Sequence, residues 1–236
     1  MISKPQNICS EIESALIRSG LYSKEPRTEG SSPTWRISPE PYYLSSDEIS
    51  FFNDLGPHLL NFYTTLNRFY AESVKGKLPL WFAQYLDAGK PDDLVNYSRM
   101  KRMRGDLPGI IRPDIMVTEE GFSVTELDSV PGGFGLTARL MDLYSDIGEL
   151  VIGSDRGGIP DAFYRMAESL AQEKSCVLAI IVSDEANDYW GEMSSLANHL
   201  NKRGLPVFTL RPQEVIFKEE GLFFKNGIRE VKIDVL

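Results

Sequence analysis

Four charged side chains, Arg112, Asp114, Glu126 and Asp128, are predicted to share one face of a β-hairpin near the middle of the chain. Glu126 and Asp128 are two residues apart, so a β-strand directs both to the same side. Two such carboxylates can hold a hard divalent cation, and oxygen ligands favour Mg²⁺, Mn²⁺ or Ca²⁺ over Zn²⁺. The alternative is a solvated strand face with a structural arginine–aspartate ion pair.

The hairpin is predicted from two segments, 111–117 and 122–127, that are rich in β-branched and apolar residues. A three-residue loop ending in Gly121 joins them. Because a loop of this length fixes the register, each charged residue of the first strand has a defined partner. With Thr118 opposite Phe122, the predicted pairs are Asp114 with Glu126 and Arg112 with Asp128.

A glycine-rich turn, residues 131–135, follows the hairpin and contains Gly132 and Gly133. Glycines permit positive φ and close approach of a backbone to another group. Residues 136–144 then have helical periodicity, and the first amides of such a helix can bind an anion. The alternative is a tight strand-to-helix turn. Together with Arg112, the turn favours a site that holds a metal and an anionic group.

The composition is that of an ordinary globular protein of 236 residues, with 42% hydrophobic and 25% charged residues. A net charge of −9 argues against a nucleic-acid groove. Two cysteines far apart in sequence indicate a reducing compartment. No segment has the length and hydrophobicity of a membrane span, so we expect a cytoplasmic protein. A homodimer is left open.

Residues 1–108 are predicted to be mostly helical, residues 109–160 to form the hairpin, turn and following helix, and residues 161–236 to form a Rossmann-like unit. In the first region a long helix with an aromatic stripe is expected to contribute to the core, and Pro57 should kink or divide it. Residues 80–86 are expected to form a short buried helix. The fold class is therefore α/β.

The Rossmann-like unit begins with the apolar strand 176–182, continues with a helix over 189–203 and returns in the strand 205–210. Ligands of such sheets bind beyond the carboxyl ends of the strands. This rule directs attention to Glu185 and Asn187, which could hydrogen-bond an amine or amide. The alternative is that this segment caps the following helix.

The motifs RPDIM, ELDS and PGGFG, followed by VSDEAN, stand in the order found in the eukaryotic-type glutathione synthetases. The chain from about residue 110 to residue 236 resembles this family and the bacterial glutathionylspermidine-synthase-like proteins, which are circularly permuted ATP-grasp ligases. The resemblance implies that the parallel βαβ unit is a pre-ATP-grasp domain. It also implies ATP-dependent amide bond formation through an acyl phosphate.

The resemblance implies roles for eight residues. Arg112 would hold a substrate carboxylate, and Ser129, Gly132 and Gly133 would contact substrate. Glu185 and Asn187 would bind the amino-acid end of a small, peptide-like carboxylate or amine substrate, and Glu126 and Asp128 would bind Mg²⁺. It assigns no catalytic side chain to this chain.

Two positions differ from the family pattern, since Asp128 replaces an asparagine and Gly191 stands about where a glutamine contacts substrate. The family's nucleotide-binding lysines and third acidic ligand would lie beyond Leu236. We therefore expect Mg²⁺ and ATP in the complete enzyme. None would be bound to this chain beyond a weakly filled metal site, and the chain alone would be inactive.

Two further functions remain open. The first is a non-catalytic module that binds an amino-acid-like metabolite or a partner with the same face. The second is a glycosyltransferase, whose metal motif is also two acidic residues at i and i+2. The second is less favoured because the segment before the motif is predicted to be helical rather than a nucleotide-binding βαβ fold.

Overall fold

The computed structural model describes residues 4–22, 36–129, 132–171 and 176–236. It is mixed α/β, as predicted, and about 50% helical. The α-helices are α1 (Lys4–Arg18), α2 (Ser46–Val74), α3 (Leu80–Asp87), α4 (Asp92–Ser98), α5 (Phe134–Asp146), α6 (Gly158–Glu168) and α7 (Trp190–Lys202). The strands are β1 (Arg112–Thr118), β2 (Gly121–Asp128), β3 (Leu178–Ile181), β4 (Val207–Leu210), β5 (Ile216–Lys218), β6 (Gly221–Asn226) and β7 (Arg229–Ile233).

The chain forms two compact units, and one of them is discontinuous in sequence. Residues 1–41 and 131–236 form the first unit, and residues 42–130 form the second. Helix α1 belongs to the first unit because Ile12 and Leu16 pack with Leu143 of α5. The sequence-based domain boundaries at residues 108 and 160 stay a prediction.

The first unit is built around the parallel pair β3 and β4, which α7 connects as predicted. On one face, α6 and α7 bury Tyr164, Ala167, Leu196 and Leu200 against the strands. On the other face lies the antiparallel sheet β5–β6–β7. The apolar strand β3 is thus covered on both sides, which explains its lack of polar alternation.

The second unit contains α2, α3, α4 and the hairpin β1–β2. Pro57 was predicted to kink or divide α2, and the helix continues through it, so it is not divided there. Its capping box, formed by Ser45 and Glu48, fixes the start of the helix. The expected aromatic core is only partly realised, since Phe62 and Phe69 are exposed.

Helix α3 was predicted to be buried, but it buries only Ala83. The amide of Ala83 donates to the Ser73 hydroxyl, which itself donates to the Pro79 carbonyl. One face of the short helix is held in this way, and Trp81 and Tyr85 remain exposed. An apolar sequence therefore indicated a helix here without indicating its burial.

Among the described residues, no helix combines the length and hydrophobicity needed to cross a membrane.

The buried Tyr164 gives the first unit a defined response to alkali. Its hydroxyl donates to the Cys176 carbonyl at 3.2 Å. Burial, and the nearby Cys176, raise the pKa of Tyr164 to about 12. The pKa of Tyr164 in the folded state thus lies above the ordinary value of about 10. The neutral phenol therefore contributes its full stabilisation of the fold below pH 10, and this contribution is lost as pH rises towards about 12.

We expect Tyr164→Phe to lower the free energy of unfolding at neutral pH by about 1 kcal/mol, because one hydrogen bond is lost. Between about pH 9.5 and pH 11.5 the variant should lose less stability than the wild type, because it has no buried phenol to ionise. Urea unfolding followed by circular dichroism measures both effects. Tyr85→Phe, at an exposed position, is the control. Parallel pH profiles for wild type and Tyr164→Phe would contradict the assignment.

Candidate functional site

Arg112 lies between two carboxylates on the hairpin of the second unit. Its Nε atom is 3.3 Å from Asp114 Oδ1, and its Nη2 atom is 3.2 Å from Asp128 Oδ2. All three side chains remain 31–47% exposed, so each pair contributes little to stability by itself. The arrangement concentrates charge and fixes the orientation of the guanidinium.

The predicted strand register is confirmed for the charged pairs and is wrong at the turn. The structure pairs Arg112 with Asp128 and Asp114 with Glu126, as predicted. However, Thr118 pairs with Gly121 across a two-residue turn, instead of with Phe122. An irregularity between Asp114 and Ile115 leaves one extra residue in β2 and restores the predicted register.

Glu126 and Asp128 supply an oxygen-only donor pair of the kind that suits Mg²⁺. Glu126 is exposed and stands opposite the like-charged Asp114, while Asp128 contacts Arg112. Within the four described ranges, no group of three or more acidic, histidine or cysteine side chains is arranged around one metal position. These two carboxylates would therefore supply only part of the ligand set that a Mg²⁺ ion needs.

Ser129 follows the hairpin and is partly buried. Its hydroxyl lies 2.7 Å from the hydroxyl of Tyr63 on α2. The residue predicted to contact substrate is thus tied to the helix that supports the hairpin. Phe122 of β2 also packs on Phe51 and Phe52 of α2, so the helix positions the strand as well as Ser129.

The glycine-rich turn of the first unit leads into α5, and an internal carboxylate occupies the start of that helix. Glu192 of α7 accepts hydrogen bonds from the amide of Gly133 at 2.8 Å and from the amide of Leu136 at 3.3 Å. The side chain is buried, with 7% exposure. A carboxylate at this position satisfies amides that have no partner within the helix and interacts favourably with the helix dipole. The anion expected at these amides from the sequence is therefore supplied by the chain itself.

The glycines of the turn are explained by close packing against α7 and the residues before it. A Cβ atom at Gly132 would collide with the ring of Tyr189. A Cβ at Gly135 would lie 2.7 Å from the carbonyl oxygen of Glu192. Gly133 has φ of +84°, which glycine adopts without strain. These contacts support the alternative that this segment is a tight strand-to-helix turn. Pro131 lies outside the described residues.

Arg211 organises the loop beyond the carboxyl ends of β3 and β4. Its guanidinium donates to the carbonyls of Val182 and Ser183 at 3.2 and 3.0 Å and to the side-chain oxygen of Asn187. It also lies 4.0 Å from the centre of the Trp190 ring. The oxygen of Asn187, predicted to bind substrate, is consequently engaged by Arg211.

Glu185, the other predicted ligand-binding residue of this loop, is exposed. Its own backbone amide, and then the hydroxyl of Ser183, hold the pKa of its carboxyl below the usual range. The neighbouring helix α7 begins at Trp190, with Tyr189 in the cap position. Glu185 therefore remains an accessible carboxylate at the edge of the parallel pair.

Sequence reasoning missed Glu192 and Arg211, although each carries a signal. Glu192 lies four residues before Leu196, on the buried stripe of α7, where a carboxylate requires partners. Arg211 directly follows β4 and is thus placed by the same rule that identified the loop after β3.

No protein-family model matches this chain, and neither the curated proteins nor the solved structures contain a significant match. The functional proposal therefore rests on the geometry of the hairpin, the glycine-rich turn and the loop after β3.

Replacing Glu192 by Ala should destabilise the first unit by about 2 kcal/mol, because two amides lose a charged acceptor in a buried setting. Glu192→Gln keeps one oxygen acceptor and should cost less. Urea unfolding of the two variants tests this order. Equal stability of wild type and Glu192→Ala would show that the carboxylate does not hold the start of α5.

Proposed function

We propose that the chain is the substrate-binding portion of an ATP-dependent carboxylate–amine ligase of the glutathione-synthetase-like type. The observation that supports it best is the hairpin register, which sets Arg112 opposite Asp128 and Asp114 opposite Glu126. A guanidinium that recognises carboxylates and an oxygen donor pair are the groups needed to bring a carboxylate and a metal-bound phosphate together.

In this function Arg112 orients the substrate carboxylate, and Glu126 and Asp128 hold Mg²⁺. The metal would neutralise charge on the transferring phosphate. Asp128 now contacts Nη2 of Arg112, so a cation on Asp128 would compete for that oxygen and release this nitrogen towards substrate. Separately, the exposed carboxylate of Glu185 in the first unit would bind an amine.

The same proposal covers compartment and partners. We infer a cytoplasmic protein whose partner is a small molecule, since a net charge of −9 disfavours nucleic acid. ATP and Mg²⁺ belong to the complete ligase in this proposal. A homodimer is compatible with it.

A second candidate, a non-catalytic module that binds an amino-acid-like metabolite, is favoured by one observation. Glu192 occupies the amides of Gly133 and Leu136, which are the groups that a glycine-rich turn would otherwise offer to a phosphate. A module without phosphate chemistry has no need of those amides.

The metal pair can be tested with Mn²⁺, a paramagnetic substitute for Mg²⁺. We expect weak binding, measured by water-proton relaxation, which the double variant Glu126→Gln/Asp128→Asn abolishes. The matched control is Glu119→Gln/Glu120→Gln, which removes the same charge from the turn of the same hairpin.

A comparable loss of Mn²⁺ binding in both double variants would mean that only the general negative charge of the hairpin attracts the ion. Absence of binding to the wild type would also contradict the ligase proposal. Loss confined to the Glu126/Asp128 variant would support it.

A further inference from the structure

A cavity of about 310 Å³ lies in the first unit between α5, the start of α6 and α7. Its volume is at the lower end of the range of small-molecule sites, which begins near ~300 Å³. None of its lining residues belongs to the ligase proposal or to the predicted glycine-rich site. Its lining includes Met141, Asp142, Ile159, Pro160, His199 and Arg203.

Two basic side chains line the cavity at the carboxyl end of α7, His199 within the helix and Arg203 in the cap position that follows it. His199 and Arg203 are four residues apart, which places them one above the other at the end of the helix. Arg203 is held by an ion pair between its Nη1 atom and Asp161 of α6. Arg203, through this contact, holds the pKa of the Asp161 carboxyl below its usual range. The ion pair fixes the arginine while leaving its Nε and Nη2 atoms outside that contact.

An acidic side chain lines the cavity from the opposite helix. Asp142 Oδ2 lies 3.7 Å from His199 Nδ1 and 3.7 Å from Arg139 Nη1. These separations exceed hydrogen-bond length, so Asp142 and His199 keep hydrogen-bonding capacity that a bound molecule could use. The carboxylate and Arg203 thus present opposite charges to the same space.

Apart from Ser154, Gly157 and Gly158, the rest of the wall is apolar. Met141 of α5, and Ile159 and Pro160 at the start of α6, line it together with Ala138. A simple anion would be repelled by Asp142, and a simple amine would be repelled by Arg203. A molecule with both charges and an apolar group matches all three parts of the wall.

We propose that this cavity binds a free α-amino acid with an apolar side chain. Its carboxylate pairs with Arg203 and His199, its ammonium group pairs with Asp142, and its side chain packs on Met141, Ile159 and Pro160. This site is independent of the ligase proposal, since it uses neither the hairpin nor a nucleotide.

Three probes of similar shape test the charge requirement, namely L-leucine, 4-methylpentanoate, which lacks the amine, and 3-methylbutylamine, which lacks the carboxylate. Saturation-transfer NMR on the full chain, with titration by calorimetry, measures binding. We expect saturable binding of L-leucine and at least about tenfold weaker binding of both analogues, because each loses a charged hydrogen bond. L-Methionine and L-valine extend the series.

Asp142→Asn should weaken L-leucine binding about tenfold. Asp155→Asn is the matched control, because Asp155 is exposed, pairs with Arg156 and does not line the cavity. Thermal melts verify that both variants are folded, and Met141→Ala supplies a second variant that alters only the apolar wall. Equal binding of L-leucine and 4-methylpentanoate would overturn the proposal. So would the absence of binding by all three amino acids, or equal losses in Asp142→Asn and Asp155→Asn.

Discussion

The buried carboxylate of Glu192 is the interaction on which the packing of α5 and α7 depends. A buried charge is costly unless its hydrogen bonds are made, and here two amides at the start of α5 make them. The contact requires the helices to approach closely, which is possible because Gly135 offers no side chain where the Glu192 carbonyl lies. A second close approach occurs at Gly191, where a Cβ would lie 2.7 Å from the Gly20 carbonyl after α1.

These contacts give the glycines of the turn a structural explanation. Glycine before a helix is compatible with either a ligand or a neighbouring segment near the backbone. In this chain the neighbour of Gly132 is Tyr189, and the acceptor for the Gly133 amide is Glu192. The hairpin of the second unit is organised differently, because its charged side chains are partly exposed and the single guanidinium of Arg112 contacts both Asp114 and Asp128.

Much of the fold could be predicted from local patterns. The apolar run of β3, the amphipathic stripe of α7 and the connection to β4 were sufficient for the parallel unit. The hairpin pairs Arg112–Asp128 and Asp114–Glu126 were also predicted, although the turn is one residue shorter and a bulge compensates for it. Periodicity cannot reveal such a compensation, because a bulge depends on how both strands pack.

Burial and long-range polar contacts were less accessible from the sequence. The exposed Trp81 and Tyr85 of α3 have the residue types of a core helix, so composition alone predicted the wrong environment. The partners of Glu192 lie more than fifty residues away in sequence, and those of Arg211 lie more than twenty away. Only the assembled first unit identifies them.

Glu192 already occupies the amide groups at the start of α5. Titration of ¹⁵N-labelled protein with inorganic phosphate tests it, with the amide signals of Gly133 and Leu136 as reporters. We expect no saturable shift of these two signals in the wild type and a saturable shift in Glu192→Ala, where the amides are vacated. Saturable shifts of both signals in the wild type would contradict it.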